Sequence, residues 1–273
     1  MKLIKMEYRP YVDTTLYPPF DISSVPDCHY FALGFIVADS ANRPSWGGYY
    51  ATTSNYYKPY IDAVRAKGGD VTFSFGGAAG KELALVTGEW SDLYLKYASV
   101  IKTYDAKSID FDIEGKALLD KPANIRRARA VLELTRTFPK LQISLTLPVS
   151  EKGLTKEGLR LVESTPCNLV NIMAMDYGYG QGRMAEFAIS TAQATRKQTG
   201  KKIGITVMIG MNDIIGEVFT LDDAHVVKDF ADSKDWITRL SIWSINRDNG
   251  DKSIMEKSSM IDQHLYEFSK IFK

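Results

Sequence analysis

Apolar residues fall into short runs of strand character, separated by stretches in which apolar positions recur every three to four residues. The runs are Glu7–Val12, Tyr30–Val37, Val71–Phe75, Ser108–Ile113, Gln142–Leu147, Leu169–Met175, Ile203–Met208 and Arg239–Trp243. The intervening periodicity predicts helices over Asn55–Ala66, Ser91–Tyr104, Pro122–Phe138, Thr155–Ser164, Met184–Gln198 and Leu221–Asp235, with a last one at Met255–Phe272. Strand followed by helix is the alternation of a parallel sheet wrapped by helices, so the predicted fold class is α/β. Eight strands and no GxGxxG turn after the first favour a closed (β/α)8 TIM barrel over an open doubly wound sheet. With no linker, low-complexity tract or shift in composition, residues 1–273 are expected to form a single barrel domain.

Composition narrows the partners. Apolar residues at 45% and charged residues at 25% exclude disordered, collagen-like and membrane classes. The 34 Lys and Arg balance the 33 Asp and Glu, which leaves no field to attract a polyanion, so no nucleic acid is expected. The short clusters Arg126-Arg127-Ala128-Arg129 and Lys201-Lys202 read as solvated faces, and a neutral glycan suits the charge balance. Cys28 and Cys167 lack metal or CxxC spacing and read as buried thiols. His29, His225 and His264 are scattered, so no metal and no cofactor are expected. Met1–Pro10 lacks the apolar stretch of a secretory leader, and no run approaches a membrane span. The expectation is a monomer, cytoplasmic unless a leader has been removed, in which case secreted.

The candidate chemistry lies in Ser108–Glu114. Its sequence Ser-Ile-Asp-Phe-Asp-Ile-Glu alternates acidic and apolar side chains with the period of two of a strand. Asp110, Asp112 and Glu114 are therefore expected to face into the barrel, and Ile109, Phe111 and Ile113 outward to the helices. Three stacked acids cannot all ionise comfortably, so Asp110 and Asp112 are expected to share a proton and Glu114 to titrate high, as a general acid requires. A solvated strand edge or a divalent cation site is the alternative reading of the same three acids.

The stretch Lys107–Glu114 resembles the DGxDxDxE signature of glycoside hydrolase family 18, the chitinase family. Ser74-Phe75-Gly76-Gly77 resembles the family's SxGG on the third strand, Met173–Tyr177 its sixth-strand segment, and Trp243–Asp248 the eighth-strand tryptophan segment of bacterial-type members. Two positions depart from the pattern: Lys107 replaces the first Asp, and Met175 replaces the Tyr that helps hold the substrate's acetamide carbonyl, with Tyr177 the nearest substitute. The resemblance implies a catalytic barrel cleaving β-1,4-linked N-acetylglucosamine polymers, chitin or chitooligosaccharides, with retention. The substrate's own acetamido oxygen acts as nucleophile, Glu114 as acid/base, Asp112 orients the acetamide, and Asp110 supports Asp112. Asp176, Tyr177, Met175 and Trp243 are implied as substrate-binding, whereas Ser74, Gly76 and Gly77 shape the site. No sizeable insertion separates the seventh and eighth strands, so the chain reads as a member without the chitinase insertion domain, with an open cleft and endo action. The same site in a non-catalytic chitinase-like lectin, an endo-β-N-acetylglucosaminidase or a muramidase is the alternative. A metal-dependent hydrolase would instead lose activity to chelators. Trp46, Tyr49, Tyr50, Tyr56 and Tyr57 follow the second strand and read either as sugar-stacking rings or as a packed loop.

Overall fold

The structure, a computed structural model, describes residues 6–273; the first five residues of the Met1–Pro10 segment lie outside it. Eight parallel strands close into a barrel. Strand β1 comes in two pieces, Glu7–Tyr8 and Tyr11–Asp13, followed by β2 (Tyr30–Ala38), β3 (Asp70–Gly76), β4 (Ser108–Asp112), β5 (Gln142–Ser150), β6 (Leu169–Ala174), β7 (Lys202–Met208) and β8 (Ile237–Trp243). Each of β2 to β7 pairs in parallel with the next strand. The break in β1 closes the ring: Glu7–Tyr8 pairs with β8, and Tyr11–Asp13 with β2. Pro10, with no N–H to give, stands at that break, and its carbonyl accepts from Ala32 N at 2.9 Å.

Around the strands lie α1 (Lys58–Ala66), α2 (Trp90–Tyr104), α3 (Lys121–Thr137), α4 (Lys156–Ser164), α5 (Met184–Thr199), α6 (Leu221–Asp232) and the short α7 (Glu267–Phe272). Helix α3 starts where its sequence directs: Asp120 accepts from Ala123 N, and Pro122 occupies the first turn, where a missing N–H costs little. Between β1 and β2 the connection holds one 3-10 turn, Ile22–Ser24, capped by Asp21.

The apolar core lies between strands and helices. Phe111 of β4 meets Phe75 of β3 at 5.5 Å and Tyr97 of α2 at 5.0 Å, the outward packing that the alternation predicts. The barrel interior is polar instead: Thr72, Ser74, Asp110, Ser144, Thr146, Asn171, Thr206 and Ser241 are all buried. Such groups are stable there only if they bond one another, and most of them do.

Two expectations need correcting. The Arg126–Arg129 cluster is not wholly solvated, because Arg127 is fully buried and paired with Glu82 at 2.7 Å. Glu82 also accepts from Tyr97 Oη and Ala84 N, which pins the segment after β3 to α2 and α3. The helix expected over Met255–Phe272 forms only as a 3-10 turn at Met255–Lys257 and α7. Its missing turns give their carbonyls to other partners. Buried Arg247 takes those of Met255 and Ser258, Met211 N takes that of Ser259, and Met260 and Tyr266 adopt left-handed backbone. Both cysteines are free; Cys28 is buried, its thiol pushed up to about 12 by burial, and Cys167 is half-buried. Among the described residues no helix is long and apolar enough to cross a membrane.

Candidate active site

At the C-terminal end of the barrel, where this architecture places its functional loops, lies a cavity of about 310 Å³. Asp112 and Glu114 line it, with Met173, Met175 and Asp176 from the end of β6, Met208 and Asp213 from β7 and the loop beyond, and Trp243 from β8. Strand pairing of β4 ends at Asp112, yet Ile113 N still donates to Thr146 O at 3.0 Å and Glu114 keeps extended backbone. Alternation therefore carries through Glu114, and the three acids rise one above another.

Asp110 sits lowest and is buried. Its Oδ2 accepts from Tyr11 Oη (2.9 Å) and Ser74 Oγ (2.7 Å), its Oδ1 from Ser144 Oγ (2.5 Å) and Thr146 Oγ1 (2.9 Å). Four hydroxyls satisfy both oxygens, so the expected proton sharing between Asp110 and Asp112 gives way to a different pairing. Asp112 is hydrogen-bonded to Glu114 above it. Burial, then the charges of Glu114 and Asp110, raise the Asp112 pKa well above the usual carboxylate range. Burial raises Glu114 too; its bond to Asp112 works against the rise, and the Asp176 and Asp213 charges add to it. The pair is thus built to hold a proton at the mouth of the barrel, and its two members titrate together.

Other groups fix this ladder. Gly76 and Gly77, both at positive φ, end β3 beside it. A Cβ on Gly76 would stand 2.0 Å from Asp112 O, and one on Gly77 2.5 Å from the Phe35 ring. Both glycines therefore shape the floor by letting backbone pass close. Ser74 contributes its bond to Asp110. Trp243 forms the aromatic floor, stacked on Phe35 with centroids 5.4 Å apart and meeting Tyr11 edge-on at 6.0 Å. Asp176, held at φ +52°, accepts from Ile214 N at 3.1 Å and so ties β6 to the loop after β7; burial raises its pKa.

Of the residues read from sequence, Asp110, Asp112, Glu114, Met175, Asp176, Trp243, Ser74, Gly76 and Gly77 gather here. Tyr177 does not. The left-handed turn at Asp176 breaks the alternation, and Tyr177 swings to the helix side, its ring against Phe187 at 5.2 Å and its hydroxyl 3.4 Å from Thr191. The aromatic loop divides likewise: Trp46 and Tyr57 are buried, Tyr50 stacks on Tyr56 at 3.9 Å, and Tyr49 is exposed.

Sequence reasoning missed Tyr11, Phe35 and Asp213. Tyr11 was legible as an inward position of β1, opposite the acids. Phe35 was not, because it sits in a bulge where the β2–β3 register slips between Gly34 and Ile36. Asp213 was signalled only by its place just past β7.

Comparison with known proteins fits this geometry. No protein-family model matches the chain. It is 33% identical over 279 aligned positions to the "probable bifunctional chitinase/lysozyme" of Escherichia coli K12, covering 89% of this chain and 31% of that protein. It is 32% identical to Endochitinase 11 of Metarhizium anisopliae, covering 89% of this chain and 53% of that one. The chain thus spans about a third to a half of the length of these relatives. The catalytic domain of a hyperthermophilic chitinase from Pyrococcus furiosus superposes with a TM-score of 0.88 at 29% identity, covering 98% of this chain and 94% of that domain. A family 18 chitinase from Chromobacterium violaceum shares the fold at a TM-score of 0.69 and 15% identity, over 98% and 82% of the two chains. Barrel, acid ladder and these likenesses agree: over most of its length the chain is similar to chitinases, and it shares the fold of family 18 glycoside hydrolases.

Proposed function

We propose that this chain is a retaining glycoside hydrolase that cleaves β-1,4-linked N-acetylglucosamine in chitin or chitooligosaccharides by substrate-assisted catalysis. The observation that carries the reading is the hydrogen-bonded Asp112–Glu114 pair, raised in pKa and facing a cavity floored by Trp243. A sugar ring lies on the indole face, as apolar pyranose faces do on aromatic rings. Glu114, in its protonated form, gives its proton to the leaving glycosidic oxygen while the 2-acetamido oxygen attacks the anomeric carbon. Asp112 accepts the acetamide N–H and offsets the positive charge that forms on the closing ring. Glu114, now a carboxylate, takes a proton from the water that opens the intermediate. Asp110, fixed by four hydroxyls, holds the column beneath. With Met175 beside Asp176 and Tyr177 turned away, neither supplies a hydroxyl to the acetamide carbonyl.

The similar proteins support the substrate: two carry chitinase in their names, and catalytic-site mutants of the Pyrococcus chitinase domain are described in complex with chito-oligosaccharides. The connection from β7 to β8 carries only a short hairpin, Gly210–Met211 with Val218–Phe219, and α6, which leaves the cleft open on that side and supports endo cleavage. Digestion of a chitin hexamer followed by proton NMR tests both points. The expected first products are β anomers from internal bonds; α anomers at first appearance, or dimers alone from one end, would contradict the reading.

A further inference from the structure

The inward positions of β8, taken upward, are Arg239, Ser241 and Trp243, so the strand that floors the site with an indole carries a guanidinium at its foot. Arg239 Nη1 donates to Ser144 Oγ at 3.2 Å, and Ser144 Oγ donates to Asp110 Oδ1 at 2.5 Å. The other interior arginine, Arg9, is matched: Glu7 accepts from its Nε at 3.0 Å and its Nη2 at 2.8 Å, and its Nη1 reaches Thr72. Among the described residues Arg239 has no carboxylate within ion-pair distance, and its buried Nε has no partner. This half-buried cation, lining the lower cavity one hydroxyl away from the base of the acid ladder, has no carboxylate of its own, so the nearest negative group it can compensate is Asp110.

We propose that Arg239 is a positioning residue for the hydrolysis, the half-buried cation that balances the Asp110 carboxylate through Ser144 and so helps set the pH range over which the Asp112–Glu114 pair holds its proton. The inference rests on the proposed role of Glu114 as acid/base. Arg9, Asp110, Glu7 and Tyr11 face the guanidinium from β1 and β4. Lys202 of β7, Asp70 of β3 and Lys107 before β4 line the cavity of about 610 Å³ below it, where Arg65 pairs with Asp70 and Asp105 with Lys107. At the upper end the pair faces Asp110, Asp176 and Asp213, all acidic. Removing a cation from beneath this column makes each carboxyl above it harder to ionise. Both limbs of the pH profile then move to higher pH.

The test compares pH profiles of kcat and kcat/KM on a fluorogenic chitobioside for wild type, Arg239→Met, Arg239→Gln and Arg239→Lys. Met and Gln are expected to shift both limbs upward by about half a pH unit or more and to lower kcat about tenfold at the wild-type optimum, with KM little changed. Lys, which keeps the charge, is expected to restore the wild-type limbs. Should the Met variant fail to fold, Gln decides, because it keeps a polar amide in the half-buried site while removing the charge. Folded Gln and Lys variants with the same limbs as wild type, or a rise in KM alone, overturn the proposal. Carbon-13 NMR titration of the Asp112 and Glu114 carboxyls in wild type and Arg239→Gln reads the same effect without turnover. An inactive wild type whose carboxyl titrations still move on Arg239→Gln would sink the hydrolase reading and leave this one standing, and unmoved titrations would sink this one.

Discussion

Four hydroxyls around Asp110 free Asp112 to bond upward, and burial with neighbouring acids holds Asp112 and Glu114 above the ordinary carboxylate range. That has a cost in stability with a definite sign. A carboxyl whose folded pKa is raised contributes stability that is full below its unfolded pKa and is lost as pH rises through the folded value. Asp112→Asn removes a group that must otherwise be charged in a buried site at high pH. The variant is expected to be inactive and to gain stability relative to wild type as pH goes from acidic to mildly alkaline. Urea unfolding of both proteins at the two extremes checks this; a stability gap that is equal at both, or larger in acid, contradicts it. The three acids and Trp243 were legible because alternation and strand ends are sequence properties. Tyr177 was misread because a left-handed residue, Asp176, cancels the alternation just before it.

At the level of elements, the strands follow from apolar runs bounded by turns, and all eight stand close to where periodicity places them. Helices were readable where an apolar stripe faces the barrel and not where long-range bonds compete for the backbone. The final segment shows this, since the guanidinium of Arg247 and the Met211 amide take carbonyls that a helix would have used. The buried pair Arg127–Glu82 was invisible for the same reason, its partners lying 45 positions apart. It binds α3 to the segment after β3, whose glycines shape the floor of the site. Glu82→Gln leaves the Arg127 charge buried and poorly compensated, at a cost of about 3–5 kcal/mol. Thermal unfolding is then expected roughly 10 °C below wild type. A change under about 2 °C would show that the pair contributes little net stability.

For the molecule as a whole, barrel closure was legible as a count of strands, whereas the means of closure was not: β1 is split, and each half serves a different neighbour. The polar interior was likewise hidden, because a threonine or serine on a strand gives no sign of which hydroxyl it will meet across the barrel. Yet that interior connects β1, β3, β4, β5 and β8 beneath one cavity, and it makes the acid ladder a property of the closed ring rather than of one strand. The chain matches only part of longer relatives, and the barrel alone carries every group that the proposed reaction uses.

The most direct test of the central claim is turnover of a fluorogenic chitobioside as a function of pH by wild type and Glu114→Gln. Wild type is expected to give a bell-shaped profile extending to near neutral pH, with activity reduced by about 10²–10⁴ in the variant at unchanged thermal stability. A folded Glu114→Gln protein that cleaves at the wild-type rate, or a wild type that binds the chitobioside without cleaving it, would contradict the account.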